Sequence, residues 1–206
     1  MKALILVDIQ NDFTPNEPAG ALAVPDGDAV VPVANRLIPD YDLVVATQDF
    51  HPADHGSFAS QHDGENVGEM IELNGLPQVL WPDHCVEGTV GAALIDGVDT
   101  ERIERVFPKG RDRTVDSYSG FFDNGPPETR AATGMDEYLK NRDVDEIDIV
   151  GLAIDYCVKF TAIDAAELGF KTRVLLGGCR GVELNEGDCA KAVEEMKNAG
   201  VEVIES

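Results

Sequence analysis

The stretch EIDIVGLAIDYCVKF, residues 146–160, has the pattern of a buried strand that turns sharply into a helix. The helical pattern begins near Asp155, a plausible N-cap, and runs to Leu168, where a glycine follows as a stop signal. Cys157 then lies in the first turn, where free backbone N–H groups and the helix dipole favour a thiolate and can hold an oxyanion. By position alone, a buried structural cysteine is the more common case. Whether Cys157 is instead a catalytic nucleophile depends on which other residues lie near it.

Strand and helix patterns alternate along the remainder of the chain. The apolar run ALILVDI, residues 3–9, is typical of a central parallel strand covered on both faces. Further strands are predicted at residues 43–48, 104–107, 146–152, 172–177 and 201–205, and helices at residues 28–38, 135–142, 155–168 and 187–200. This order predicts an α/β fold, a doubly wound, mostly parallel six-stranded sheet with helices on both faces. GGCRG, residues 177–181, is interpreted as a tight turn between strand and helix.

Residues 49–94 show little periodicity, and the four histidines of the chain all lie there. The length of 206 residues predicts a single domain, residues 1–206. An irregular segment this long inside one compact domain is either disordered or functional, and its histidines and aromatic residues favour function. We therefore interpret residues 49–94 as a metal- and substrate-binding loop region.

The charge composition excludes several classes of partner. The chain has 39 acidic and 16 basic residues, for a net charge of -23, so nucleic acids and membranes are not expected partners. No apolar run suits a membrane span or a signal peptide, which predicts a cytoplasmic protein. An evenly acidic, lysine-poor surface also suggests a salt-rich cytosol. The four cysteines lack metal-type or redox-type spacing and are expected to be free thiols.

Candidate reactive groups follow the ends of four predicted strands. Asp8 follows the first strand, Asp49 and His51 the second, Lys109 the third, and the Cys157 turn the fourth. Ligands of open α/β sheets bind beyond the carboxyl ends of the strands, so these groups should converge. Taken singly, Asp8 is equally well a local cap and Lys109 an ordinary solvated lysine.

DFH (49–51) and WPDHC (81–85) supply a possible metal set. Asp49, His51 and His84 form a two-histidine, one-carboxylate group, which suits zinc, iron or manganese and leaves positions open for water or substrate. Unrelated surface histidines are the alternative. His55 lies four residues after His51, but Pro52 makes a helix between them unfavourable. Nucleotide-binding glycine motifs and the serine-hydrolase GxSxG motif are absent.

Five strings carry a family resemblance: VDIQNDF, DFHPADHGSFASQH, GLPQVLWPDHCV, VDSYSGFFDNG and GLAIDYCVKFT. Together they resemble the nicotinamidases of the isochorismatase-like cysteine hydrolase family, over residues 3–204. The resemblance implies an Asp8, Lys109 and Cys157 triad, and metal ligation by Asp49, His51 and His84. It also implies a cis peptide bond before Ala153, an oxyanion hole of the Ala153 and Cys157 N–H groups, and ring packing by Phe13, Trp81 and Tyr118.

The activity that the resemblance implies is hydrolysis of nicotinamide to nicotinate and ammonia through a cysteine thioester, in NAD salvage. Pyrazinamide is a second expected substrate, and the expected cofactor is one divalent metal ion, zinc before iron or manganese. A homo-oligomer is possible. The alternatives are another amide hydrolase of the same family and a non-catalytic metal- or ligand-binding relative. One departure is Ile154, where many relatives carry threonine beside the oxyanion turn.

Overall fold

A six-stranded parallel sheet forms the centre of the computed structural model, which describes residues 1–205. The strands are β1 (Lys2–Val7), β2 (Leu43–Asp49), β3 (Met70–Leu73), β4 (Leu76–Val79), β5 (Arg105–Lys109), β6 (Glu146–Leu152), β7 (Lys171–Arg180) and β8 (Glu202–Ile204). The large sheet has the order β5-β2-β1-β6-β7-β8, and β3 and β4 form a separate antiparallel hairpin. All five pairings of the large sheet are parallel.

Four α-helices connect these strands. They are α1 (Val30–Leu37), α2 (Met135–Lys140), α3 (Lys159–Glu167) and α4 (Asp188–Asn198). Connections between parallel strands are right-handed. The connection through α1 leads from β1 to β2, in one direction across the sheet, whereas those through α2, α3 and α4 lead in the opposite direction. Therefore α1 covers one face of the sheet and the other three helices cover the opposite face. The predicted doubly wound α/β class is confirmed.

The core follows from the apolar character of the central strand. Residues 3–7 of β1 are at most 1% exposed, because β2 and β6 flank the strand and helices cover both faces. Gly151 of β6 has φ +132°, and an added Cβ would lie 2.0 Å from the Val7 carbonyl oxygen. Glycine at this position therefore allows β6 to approach β1 at the end where the reactive groups meet.

Two local predictions were wrong. Residues 177–180 do not form a turn but continue β7, with Gly151 paired to Cys179. A Cβ at Gly178 would lie 2.7 Å from Val150, so the glycine that suggested a turn instead allows close packing within the sheet. Asp155 is not an N-cap, since it lies inside a π-helical turn, Ile154–Val158, that precedes α3.

The loop region after β2 is more ordered than expected, because the β3–β4 hairpin lies within it. All four cysteines are free thiols, as expected. Within residues 1–205, none of the helices combines the length and apolarity that crossing a bilayer requires. A single domain over residues 1–206 stays a prediction.

Candidate active site

The reactive groups predicted from the sequence meet where the strand order reverses. The sheet runs β5-β2-β1 on one side and β6-β7-β8 on the other, so the crevice of a doubly wound fold opens between β1 and β6. Asp8 follows β1 directly, and Cys157 lies in the turn after β6. Asp49 and Lys109 are the last residues of β2 and β5 and are register partners.

Lys109 is the centre of this cluster. Its buried Nζ lies 3.0 Å from Asp8 Oδ2, 2.5 Å from Asp49 Oδ1 and 3.4 Å from Cys157 Sγ. It also donates to the Ser117 carbonyl oxygen at 2.8 Å. Burial alone would lower the pKa of this amine, but Asp49 and Asp8 raise the pKa well above its ordinary value. Lys109 is therefore a fixed positive charge that joins the other three groups.

Asp8 is held by the neighbouring strand. Its backbone has φ +47°, and its Oδ1 accepts a 2.6 Å hydrogen bond from the Thr47 hydroxyl. Burial is the main cause that raises the pKa of Asp8 to about 6, with Asp49 adding to it and Lys109 opposing it. A carboxyl with this pKa can both accept and return a proton near neutral pH.

The surroundings of Cys157 favour the neutral thiol over the thiolate. Burial, reinforced by Asp8 and Asp49 against the opposing Lys109, raises the pKa of the thiol well above its ordinary value. The helix position favours the thiolate, but desolvation of the buried sulfur acts in the opposite direction and has the larger effect on the pKa. A base is needed to ionise the thiol. The Cys157 sulfur and one carboxylate oxygen each of Asp8 and Asp49 lie within 4.8 Å of one another, so a base is close enough to take the proton.

The turn before Cys157 has the backbone form that the resemblance implied. The Leu152–Ala153 peptide bond is cis, and the Ala153 carbonyl accepts from the N–H groups of Tyr156 and Val158. The Asp155 side chain accepts hydrogen bonds from two backbone N–H groups of the segment after β7, those of Val182 and Glu183. Asp155 thus fixes the turn, a role that helix-cap reasoning missed.

Asp49, His51 and His84 come together, with one ligand atom of each within 4.8 Å of the others. Nδ1 of His51 lies 2.7 Å from the Gly110 carbonyl oxygen, and Nδ1 of His84 lies 2.8 Å from the Pro82 carbonyl oxygen. Carbonyl oxygens only accept, so both rings carry their proton on Nδ1. This leaves each Nε2 free to bind a metal, 3.8 Å (His51) and 3.9 Å (His84) from an oxygen of Asp49.

The charges in this group suit a cation. Burial lowers the pKa of both His51 and His84, so both rings are neutral. Burial alone would raise the pKa of Asp49, but Lys109 and the two histidines lower it below its ordinary value. Two neutral imidazoles and a carboxylate are ligands for a divalent transition metal. The donor set of Asp49, His51 and His84 therefore fits such an ion.

A cavity lies above these groups. Phe13, Trp81 and Tyr118 form part of its wall, and Cys157 and Ala153 reach it from the turn after β6. The Trp81 indole donates to the Tyr118 hydroxyl at 3.2 Å, which fixes both rings. A mainly apolar enclosure with a few convergent polar groups is the usual form of a small-molecule site.

Sequence reasoning missed several residues of this site. Tyr156, Asp116, Leu22 and Val182 also line the cavity. Gln10 accepts from the Asp49 N–H and donates to the Asp49 carbonyl, both at 2.8 Å, so it fixes the end of β2. Gln10 is part of the string VDIQNDF, but the sequence analysis assigned functions only to Asp8 and Phe13 of that string.

Other candidate residues lie outside the cluster. Lys159, the rival amine, forms an ion pair with Glu195 on α4 at 3.0 Å. His55 packs against the His51 ring with centroids 4.5 Å apart, and its nitrogens face Ser57 and Val115 rather than Asp49. His62 contacts the Gly56 carbonyl oxygen.

A parallel α/β sheet whose switch point brings a thiol, a lysine and a carboxylate beneath an aromatic cavity defines a candidate cysteine-dependent enzyme. The isochorismatase domain model matches residues 2–206, and the chain belongs to this family.

Several relatives are similar over nearly the whole chain. A nicotinamidase of Escherichia coli (strain K12) is 51% identical over 204 residues, 97% of this chain and 92% of that protein. The structure of an Acinetobacter baumanii nicotinamidase pyrazinamidease has 41% identity and a TM-score of 0.92, covering 99% of this chain and 95% of that chain. A Pyrococcus horikoshii pyrazinamidase in complex with zinc has 32% identity and a TM-score of 0.77, covering 100% and 99%.

Proposed function

We propose that this protein is a nicotinamidase that hydrolyses nicotinamide to nicotinate and ammonia. The observation that carries the proposal is the Cys157 thiol in the floor of an aromatic cavity, with Lys109 and Asp8 behind it. The 51% identical relative is a nicotinamidase, which supports a pyridine carboxamide as the substrate. A cytoplasmic location and a place in NAD salvage are parts of the same proposal.

In the first half of the reaction, Asp8 takes the thiol proton and Cys157 Sγ attacks the carboxamide carbon. Lys109 stabilises the negative charge that the proton transfer leaves on sulfur. The N–H groups of Ala153 and Cys157 hold the oxyanion of the tetrahedral intermediate. The C–N bond then breaks, and Asp8 returns the proton to the departing amine, which leaves as ammonia.

In the second half, a water molecule gives a proton to Asp8 and attacks the thioester carbon. The C–S bond breaks, and the thiol regains its proton from Asp8. The acid product loses its own proton to solvent and is released as nicotinate. A carboxyl with a pKa of about 6 suits both steps, because it is ionised at neutral pH and still acidic enough to return the proton.

Asp49, His51 and His84 are proposed to hold one divalent ion, assigned as zinc, with iron and manganese as the alternatives. A bound ion of this kind supplies an electrophilic centre that can anchor the pyridine nitrogen and order water. The Gly110 and Pro82 carbonyls fix the two imidazoles in the ligating tautomer. The zinc complex of the Pyrococcus horikoshii pyrazinamidase supports zinc.

Phe13, Trp81 and Tyr118 are proposed to pack against the pyridine ring. The ring of Phe13 lies 5.7 Å from that of His84, so it connects the aromatic wall to the metal ligands. Pyrazinamide has the same carboxamide on a ring of equal size and is proposed as a second substrate. The Acinetobacter baumanii relative is described as both a nicotinamidase and a pyrazinamidease.

Ammonia release from nicotinamide tests the function. Zinc-loaded wild type is expected to turn over, and Cys157→Ala is expected to lose at least about 10³-fold in kcat, because the nucleophile is gone. Cys179→Ala is the matched control, since Cys179 is buried in β7 and its thiol faces the Leu175 carbonyl. Well-folded wild type without turnover would remove the substrate assignment, and turnover that survives in Cys157→Ala would remove the mechanism.

A further inference from the structure

Asp116 is a buried carboxylate in the cavity wall that the proposed reaction does not use. It is 3% exposed, and it lines the same cavity as Cys157 and Ala153. Its Oδ1 accepts from the Ser117 N–H at 2.8 Å, and its Oδ2 accepts from Gln78 Nε2 at 2.9 Å. Both donors are neutral groups, so they orient the carboxylate without cancelling its charge.

No lysine or arginine among residues 1–205 forms an ion pair with Asp116. The basic group of the site, Lys109, is already shared by Asp8 and Asp49. With a divalent ion on Asp49, these two carboxylates, the lysine and the ion together carry one net positive charge. Asp116 cancels this charge and makes the cavity neutral as a whole.

The substrate and the product differ in charge, and this difference gives the wall carboxylate a function. A carboxamide is neutral, whereas the acid formed by its hydrolysis is an anion at neutral pH. A site with one net positive charge would hold the anion more tightly than the amide, and product release would be slow. A negative charge in the wall opposes this preference and leaves the neutral amide almost unaffected.

We propose that Asp116 is a specificity-determining residue that weakens binding of the anionic acid product and not of the neutral amide substrate. This inference rests on the proposed function. Two like charges about 7 Å apart, in an effective dielectric of about 20, repel each other enough to weaken anion binding by roughly 50-fold. The repulsion is therefore large enough to measure.

Gln78 is the residue that positions this charge. It lies on β4 and is buried, and its Nε2 also lies 3.1 Å from the Tyr118 hydroxyl. One amide thus connects the carboxylate to an aromatic residue of the same wall. Asp116 lies in the substrate wall, and its carboxylate is within 4.8 Å of a ring nitrogen of His51 and of His55. It is not part of the proton-transfer cluster, so its removal should alter ligand preference before it alters chemistry.

Two measurements on zinc-loaded Asp116→Asn and wild type test the inference: direct binding of nicotinate by titration calorimetry, which needs no turnover, and product inhibition by nicotinate. The inhibition constant is expected to fall by about 10- to 100-fold in the variant, while the KM for nicotinamide changes by less than about threefold. The dissociation constant from calorimetry is expected to change in the same way as the inhibition constant. Asp123→Asn is the matched control, because Asp123 belongs to the same segment and does not line the cavity. It is expected to match wild type in all of these constants.

An unchanged nicotinate constant, or an equal change for both ligands, would overturn the inference and leave Asp116 with a structural role. Asp116→Ser is a second variant, since its hydroxyl can rotate to accept from Gln78. Loss of the fold in both variants would likewise assign Asp116 to folding. Wild type that fails to hydrolyse nicotinamide refutes the proposed function instead, so the two failures are distinct.

Discussion

Replacing Lys109 by methionine removes the one cation shared by Asp8 and Asp49. Methionine keeps most of the volume of the buried side chain but, in the metal-free protein, leaves Asp8 and Asp49 without the lysine that pairs with both of them. Breaking a buried ion pair by removing one member costs about 3–5 kcal/mol of unfolding free energy. We expect a loss of this size at pH 7.5, and a fall of at least about 10²-fold in kcat/KM, since Asp8 and Cys157 lose their orienting partner.

The stability deficit of Lys109→Met should depend on pH. Lys109 lowers the pKa of Asp8, so the variant should raise that pKa above the wild-type value of about 6. A carboxyl with a raised pKa in the folded state keeps a proton that the unfolded chain releases, so stability falls as pH rises until the folded group ionises. Wild type completes this loss near pH 6, and the variant continues to lose stability. The deficit should therefore grow by about 2 kcal/mol between pH 6 and pH 7.5.

Urea unfolding at both pH values measures the effect, with Lys159→Met as the matched control. Lys159 forms an ion pair with Glu195 between α3 and α4 and is not part of the Asp8 cluster. Such a pair contributes about 0–1 kcal/mol. Equal losses in the two variants, or a Lys109→Met deficit that does not change with pH, would refute the account of Lys109 as a buried shared cation.

Three further predictions concern the metal set, the base and the surface. Gly110→Ala should lower zinc affinity by about 10–100-fold in a chelator competition, because Gly110 has φ +64° and the new Cβ would lie 2.3 Å from His51 Cε1; an unchanged affinity would show that the imidazole is not held by this contact. The kcat/KM for nicotinamide should rise about tenfold per pH unit below the Asp8 pKa of about 6 and level off above it, and a flat profile from pH 5 to pH 7 would exclude Asp8 as the base. Thermal unfolding should shift to higher temperature as KCl is added, because screening reduces the self-repulsion of a chain with net charge -23; a midpoint independent of salt would contradict a salt-adapted surface.

The sheet was predictable because its strands have strong local signals. The run ALILVDI is apolar except for Asp8, and the structure buries it in the middle of the sheet. The end of β7 was not predictable in this way. Its glycines have the composition of a turn, and only the close packing of Gly178 against Val150 of β6 shows why a glycine belongs in this strand. The β3–β4 hairpin was missed because it is short and partly exposed, with weak alternation.

The convergence of Asp8, Asp49, Lys109 and Cys157 was predictable, because each of them follows a strand end of the same sheet. The protonation states of these residues were harder to predict from the sequence. The dipole at the start of a helix suggested a thiolate, but the sequence does not give the extent of burial, which raises the pKa of the Cys157 thiol. Asp116 was missed because nothing in the sequence around a single aspartate shows that its side chain lines the cavity.

The central claim is that Cys157 forms a thioester with the pyridine acyl group. Acid quenching of zinc-loaded enzyme during nicotinamide turnover, followed by intact-mass measurement and peptide mapping, tests this claim directly. We predict one nicotinoyl group per chain on the peptide that contains Cys157, and no adduct in Cys157→Ala. Steady turnover with no adduct on Cys157, or an adduct on Cys85, Cys179 or Cys189, would contradict the assignment.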